Sequence, residues 1–146
     1  MISLDANVLI YAVDVDAGLR HATANDVMNR ARATSTALTG QAIFEFFHAS
    51  TRKGKMSIDD AAAIVKDLIG NFRMLQAHTK IIESALDLQS RFRINIWDAR
   101  LLAVCDAHGC DHLLSEDLQD GAQYGGVTVV NPFNPTNAKL IGRLLS

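Results

Sequence analysis

The chain has 146 residues, 49% hydrophobic and 21% charged, with two prolines and two cysteines. That composition describes one globular domain able to bury a core without disulfides, and excludes a disordered or fibrous chain. A formal net charge of −2 excludes the basic field of a non-specific nucleic-acid-binding module, but not a nuclease whose acids are met by divalent cations.

Ile2-Ser3-Leu4 reads as a short apolar strand that ends at Asp5, and a helix-like run begins at Val8-Leu9-Ile10-Tyr11. Leu19 to Arg32 has helical periodicity, with Ala22, Val27, Met28 and Ala31 inward. Thr36-Ala37-Leu38 is a second strand, and Thr39 caps a helix from Gln41 to Lys53 that buries Ile43, Phe44, Phe46 and Phe47 and stops at Gly54. Ser57 opens a helix to about Ile69, and Phe72 to Leu75 is a strand. His78 to Phe92 is helical, with Ile81, Ile82, Ala85, Leu88 and Phe92 inward. After the break at Asn95-Ile96, Asp98 opens an apolar helix to Ala107, ended by Gly109. His112 to Ser115 and Val127 to Val130 are β-rich, and Leu140 to Leu145 is a short amphipathic stretch.

Strands alternate with helices and no linker or repeat interrupts them, so the expected fold is an α/β/α sandwich with a central parallel sheet. Residues 1–133 form the expected domain and 134–146 a tail with a short helix. Cys105 and Cys110 match no metal or redox spacing and read as small buried thiols of a cytoplasmic protein. No signal-peptide pattern opens the chain, and no apolar run approaches the roughly 18 residues of a membrane span.

Four acidic positions share one context. Asp5 ends a strand, Glu45 lies early in the helix after the second strand, Asp98 opens a helix, and Glu116-Asp117 follows a strand. In a parallel sheet these places fall on one edge, where ligands collect. Two like charges ~4 Å apart cost about 4 kcal/mol at an effective dielectric near 20, so such acids need a cation or a raised pKa. Carboxylates with water suit Mg²⁺ or Mn²⁺, and the matching chemistry is phosphodiester hydrolysis. Ser115 and Asn7 are placed to position water or phosphate.

Taken singly, each acid has a plainer reading: Asp98 as a helix cap, Glu45 as a surface residue, Glu116 and Asp117 as an acidic turn. Their conjunction carries the chemistry. Glu45-x-x-His48 has no second copy to make a di-iron site, the five histidines form no H-x-x-x-H pair, and no nucleotide-binding loop or serine-nucleophile motif occurs.

The ordered motifs Leu4-Asp5-Ala6-Asn7-Val8-Leu9-Ile10-Tyr11, Phe44-Glu45-Phe46, Trp97-Asp98-Ala99-Arg100-Leu101-Leu102-Ala103 and Leu113-Leu114-Ser115-Glu116-Asp117-Leu118, with Val127 to Phe133 as a last strand, resemble those of PIN-domain ribonucleases. Within that family a small single-domain chain is similar to the VapC-type toxins. The resemblance implies an endoribonuclease dependent on Mg²⁺ or Mn²⁺, with Asp5, Glu45, Asp98 and Asp117 at the acidic metal positions. It also implies Ser115 and Asn7 as supporting residues, and it favours Asp117 over the adjacent Glu116. The implied partners are a structured RNA substrate (tRNA, rRNA or mRNA), a small antitoxin protein and a second copy of the chain. For RNA contact the candidates are Arg52, Lys53 and Lys55, then Arg91, Arg93 and Arg100, with Trp97 as a stacking surface; the plain alternative is solvated helix ends and a core tryptophan. Two other readings stand beside this one: an inactive PIN-like interaction module, and a receiver-like phosphoacceptor domain, which would want a second acid beside Asp5 and a lysine after a late strand.

Overall fold

A computed structural model describes the whole chain, residues 1–146. Its strands are β1 (Ile2–Leu4), β2 (Thr36–Thr39), β3 (Arg73–Leu75), β4 (His112–Leu114), β5 (Gln123–Tyr124) and β6 (Val127–Val130). Its helices are α1 (Ala6–Val13), α2 (Leu19–Ala31), α3 (Gly40–Thr51), α4 (Ile58–Asn71), α5 (Lys80–Phe92), α6 (Ile96–Ala107) and α7 (Ala138–Leu144). None of them is long and apolar enough to cross a membrane.

The six strands form one sheet in the order β3-β2-β1-β4-β6-β5. Every neighbouring pair is parallel except β5–β6. The chain therefore winds outward from β1 through β2 to β3, then returns to the other side of β1 as β4. The order reverses between β1 and β4, and in an open α/β sheet that reversal leaves a crevice beyond the carboxyl ends of the two strands.

Alternate side chains along the strands serve two cores. Leu4, Leu38, Leu114 and Val130 pack with α1 to α4 and with Ile141 and Leu145 at the C-terminus, while Ala37, Leu113, Val127 and Val129 pack with α5 and α6. The three residues of β1 are all buried, as expected of a central strand covered on both faces. The caps are local and readable: the Thr39 hydroxyl accepts from the Ala42 N–H at 3.1 Å, and the Ser57 hydroxyl from the Asp60 N–H at 3.1 Å.

Several expected details differ. Phe44 is 77% exposed, because the buried stripe of α3 runs through Ala42, Ile43, Phe46 and Ser50 and position 44 points elsewhere on a 3.6-residue turn. Ile82 is likewise exposed beside the stripe Ile81, Ala85, Leu88, and Ala24 rather than Ala22 completes the stripe of α2. Helix α3 ends at Thr51, and Arg52–Gly54 form a 3₁₀ turn in which Lys53 and Gly54 take φ of 57° and 67°. The sixth helix begins two residues before Asp98, and the antiparallel strand β5 had no signal in its two residues.

Candidate active site

Asp5 follows β1 and caps α1: its Oδ1 accepts from the Ala6 N–H at 2.7 Å. The side of the crevice opposite is made by β4, whose register pairs Leu4 with Leu114, so Asp5 and Ser115 leave the sheet side by side. The Ser115 hydroxyl donates to Asp5 Oδ2 at 2.7 Å and accepts from the Asp117 N–H at 3.1 Å. Asn7, the second residue of α1, aims its Nδ2 at Asp5 Oδ2 (3.4 Å), Ser115 Oγ (3.3 Å) and Asp117 Oδ2 (3.1 Å). Two amide hydrogens thus serve three acceptors, while Asn7 Oδ1 is buried with no hydrogen-bond partner.

Glu45 and Asp98 flank this pair from the neighbouring helices. Glu45 is exposed in α3, where its Oε1 accepts from Gln41 Nε2 at 3.1 Å. Gln41 also donates to the Trp97 carbonyl at 2.9 Å and accepts from Arg100 Nη1 at 3.0 Å, tying the start of α3 to the start of α6. Asn95, not Asp98, is the N-cap of α6. Its Oδ1 accepts from the Asp98 N–H at 2.9 Å and its Nδ2 donates to Asp98 Oδ2 at 2.6 Å, a two-bond cap that holds Asp98 in the first turn, where the helix dipole favours an anion.

The acids share one electrostatic field. Asp5 is only 3% exposed, and burial is the main reason its pKa rises from the ordinary 3.8 to about 6; the bonds from Ser115 and Ala6 hold it down in part, and the charges of Asp117 and Glu45 add to the rise. Partial burial also raises Asp98, opposed by the Asn95 hydrogen bond and helped by the charge of Asp117. As they stand, no three His, Cys, Asp or Glu side chains are close enough to hold one ion among them. The arrangement is two linked carboxylates with two more at its rim.

Glu116 is turned out of this group. Its Oε1 accepts from the Tyr11 hydroxyl and its Oε2 from Arg20 Nε at 3.0 Å, so of the two adjacent acids it is Asp117 that the Asn7 amide links to Asp5. Tyr11 and Arg20 carried no signal as site residues in the sequence, because each reaches Glu116 only through the packing of α1 and α2; Gln41 reaches Glu45 within α3, but its bonds to the Trp97 carbonyl and Arg100 need the packing of α3 against α6. Of the expected RNA contacts, Trp97 is 64% exposed beside Gln41, Arg93 caps the end of α5 in a left-handed conformation, and Arg91 lies over the Phe92 ring. Arg52, Lys53 and Lys55 lie past the far end of α3, seven or more residues and so about 10 Å or more along the helix from Glu45.

An open, mostly parallel α/β sheet with carboxylates gathered at its strand-order reversal defines a class of ligand-binding fold. Within that class, the PIN domain family model matches residues 2–119, and the chain belongs to that family. Among solved structures it is similar to VapC20 of Mycobacterium tuberculosis, a toxin that cleaves the sarcin-ricin loop (20% identity, 80% of this chain and 90% of that one, TM-score 0.63). It is also similar to a toxin–antitoxin complex from Klebsiella pneumoniae (19% identity, 90% and 98%, TM-score 0.65) and to FitAcB from Neisseria gonorrhoeae (13% identity, 92% and 99%, TM-score 0.62). At these identities the likeness is one of fold. No curated protein gives a significant match.

Proposed function

We propose that this chain is a VapC-type endoribonuclease that hydrolyses RNA phosphodiester bonds with Mg²⁺ or Mn²⁺, and that it acts in the cytoplasm as the toxin of a toxin–antitoxin pair. The observation that carries the reading is the link from Asp5 through Ser115 and Asn7 to Asp117: a buried acid of raised pKa, tied to a second acid at the switch point of a PIN-domain sheet. Support for an antitoxin partner comes from the Klebsiella pneumoniae toxin–antitoxin complex among the similar folds.

The donor set fits a hard divalent cation: Asp5, Asp98, Asp117 and Glu45 offer oxygen only, and the partnerless Asn7 Oδ1 is a further buried oxygen beside them. When bound, such a cation supplies phosphate charge neutralisation and a water of lowered pKa. The chain's own residues do the rest. Ser115 and the Ala6 N–H fix both oxygens of Asp5, Asn7 spaces Asp117 from it, and the Asn95 side chain keeps Asp98 from rotating away. Above pH ~6 Asp5 is ionised and the site is ready for a cation.

A homodimer is part of the proposal. Phe44, Trp97 and Ile82 are 77%, 64% and 60% exposed, and they border two adjoining hollows that share Ala77 and Arg100. Charge at such a patch would oppose association, so Phe44→Arg is expected to convert a dimer to a monomer in light scattering.

The test of the activity is cleavage of total cellular RNA by purified, antitoxin-free protein with Mg²⁺ or Mn²⁺, beside Asp5→Asn and a chelator control. Discrete fragments from wild type and metal alone support the nuclease; equal cutting by Asp5→Asn or in chelator refutes it. Antitoxin-free protein that binds a partner yet cuts no RNA would instead favour the interaction-module reading.

A further inference from the structure

Four carboxylates around one crevice repel a polyanion, so an RNA strand laid across them needs fixed cations close by. Arg100 has committed Nη1 to Gln41, and the Arg52 to Lys55 cluster lies beyond the far end of α3. One arginine is built differently.

Arg20, the second residue of α2, is held on three sides. Its Nε donates to Glu116 Oε2 at 3.0 Å. Its guanidinium carbon lies 5.8 Å from the Tyr11 ring centroid and 5.9 Å from that of Phe133, and those rings meet edge to face at 5.2 Å. The other oxygen of Glu116 is occupied by the Tyr11 hydroxyl. Glu116 therefore takes a single N–H from Arg20 rather than a two-pronged pair, and apart from the nearby Tyr11 hydroxyl no other polar group of the protein faces the Nη1 and Nη2 fork. The side chain is 54% exposed, and Glu116 is the residue before Asp117.

A plain surface ion pair contributes little to stability and would not need two aromatic rings and a tyrosine hydroxyl to orient it. An arginine whose stem is immobilised and whose fork is free is arranged for a planar, bidentate anion, at reduced entropic cost on binding. We propose that Arg20 is an RNA-binding residue that takes a backbone phosphate flanking the scissile one, with Glu116, Tyr11 and Phe133 as its cradle. The proposal deepens the ribonuclease reading and rests on it for the ligand.

The test uses the Asp5→Asn protein with Mg²⁺, which needs no turnover, and fluorescein-labelled single-stranded RNA oligonucleotides in which one phosphate at a time is replaced by a neutral methylphosphonate. Adding Arg20→Ala is expected to raise Kd about tenfold, as for loss of a charge-assisted hydrogen bond, and to reduce the slope of log Kd against log salt by about 0.7. One methylphosphonate position should weaken binding by a similar factor when Arg20 is present and have no further effect in Arg20→Ala, a coincidence that a purely structural role would not produce. Arg20→Gln keeps the stem packed and should behave like Arg20→Ala, which guards against a folding defect. Additive losses at every position, an unchanged salt slope, or no RNA binding at all would overturn the assignment. Failure of the wild type to cut RNA would sink the nuclease reading, and the binding cycle would still decide Arg20.

Discussion

Asp5 stores a measurable instability in the metal-free protein. Its pKa stands at about 6 in the fold against the ordinary 3.8. A proton held about two pH units more tightly in the folded state is worth about 3 kcal/mol. Because the folded state binds that proton and the unfolded state releases it, stability falls as pH rises from about 4 to about 6, and the whole cost is present at pH 7. Replacing Asp5 by Asn removes the charge and keeps an Oδ1 acceptor for the Ala6 N–H, but turns an amide donor towards the Ser115 hydroxyl, which loses its acceptor, and towards Asn7 Nδ2, an opposition that offsets about 1 kcal/mol. Asp5→Asn should therefore stabilise the metal-free protein by about 2 kcal/mol at pH 7, or about 6 °C in Tm for a chain of this size. The gain should vanish near pH 4. The assay is urea unfolding in excess chelator, followed by circular dichroism at pH 4.0, 5.5 and 7.0, for both proteins; taking their difference cancels the other titrating groups. With saturating Mg²⁺ the wild type should regain stability and the variant should not. A variant no more stable than wild type at pH 7 in chelator, or a gain independent of pH, would refute the account of Asp5.

Other outcomes follow from the same network. Ser115→Ala removes a donor that lowers the Asp5 pKa and an acceptor for the Asp117 N–H, so the Asp5 carboxyl should titrate above pH 6 by carbon NMR and the fold should lose about 1–2 kcal/mol near neutral pH; an unmoved titration would contradict the hydrogen-bond assignment. Asp117→Asn should weaken Mn²⁺ binding about tenfold or more, whereas Glu116→Gln should leave it nearly unchanged, by calorimetric titration; the reverse order would return the role to Glu116. Phe46→Ala, at a fully buried position between α3 and the sheet, should cost about 3–5 kcal/mol in urea unfolding, and a loss below 1 kcal/mol would mean that α3 is not packed as described.

Much of the fold is short-range physics, and that part was legible. A hydroxyl at Thr39 or Ser57 finds its N–H three residues on, and an apolar repeat of three or four residues needs only the helix to express it. The same holds for Asp5, whose place at the end of one strand and the start of one helix follows from the residues on either side. Asp98 was readable as a helix-start acid, although Asn95 proved to be the cap. The exposed faces were harder: Phe44 and Ile82 are as apolar as their buried neighbours, and only the direction from which the sheet approaches separates them.

The sequence by itself determined the alternation of strands and helices, the acids at their junctions and, through the ordered motifs around them, the family. Tertiary structure decided which acids share a bond. Asn7 reaches Asp117 across 110 positions, and Tyr11 and Arg20 reach Glu116 across 105 and 96; no local rule distinguishes Glu116 from Asp117 until those partners arrive. The reason is that neighbouring residues in a turn differ by a rotation of the chain, and what fixes that rotation is the pairing of β4 with β1 and the packing of α1 and α2 beside it.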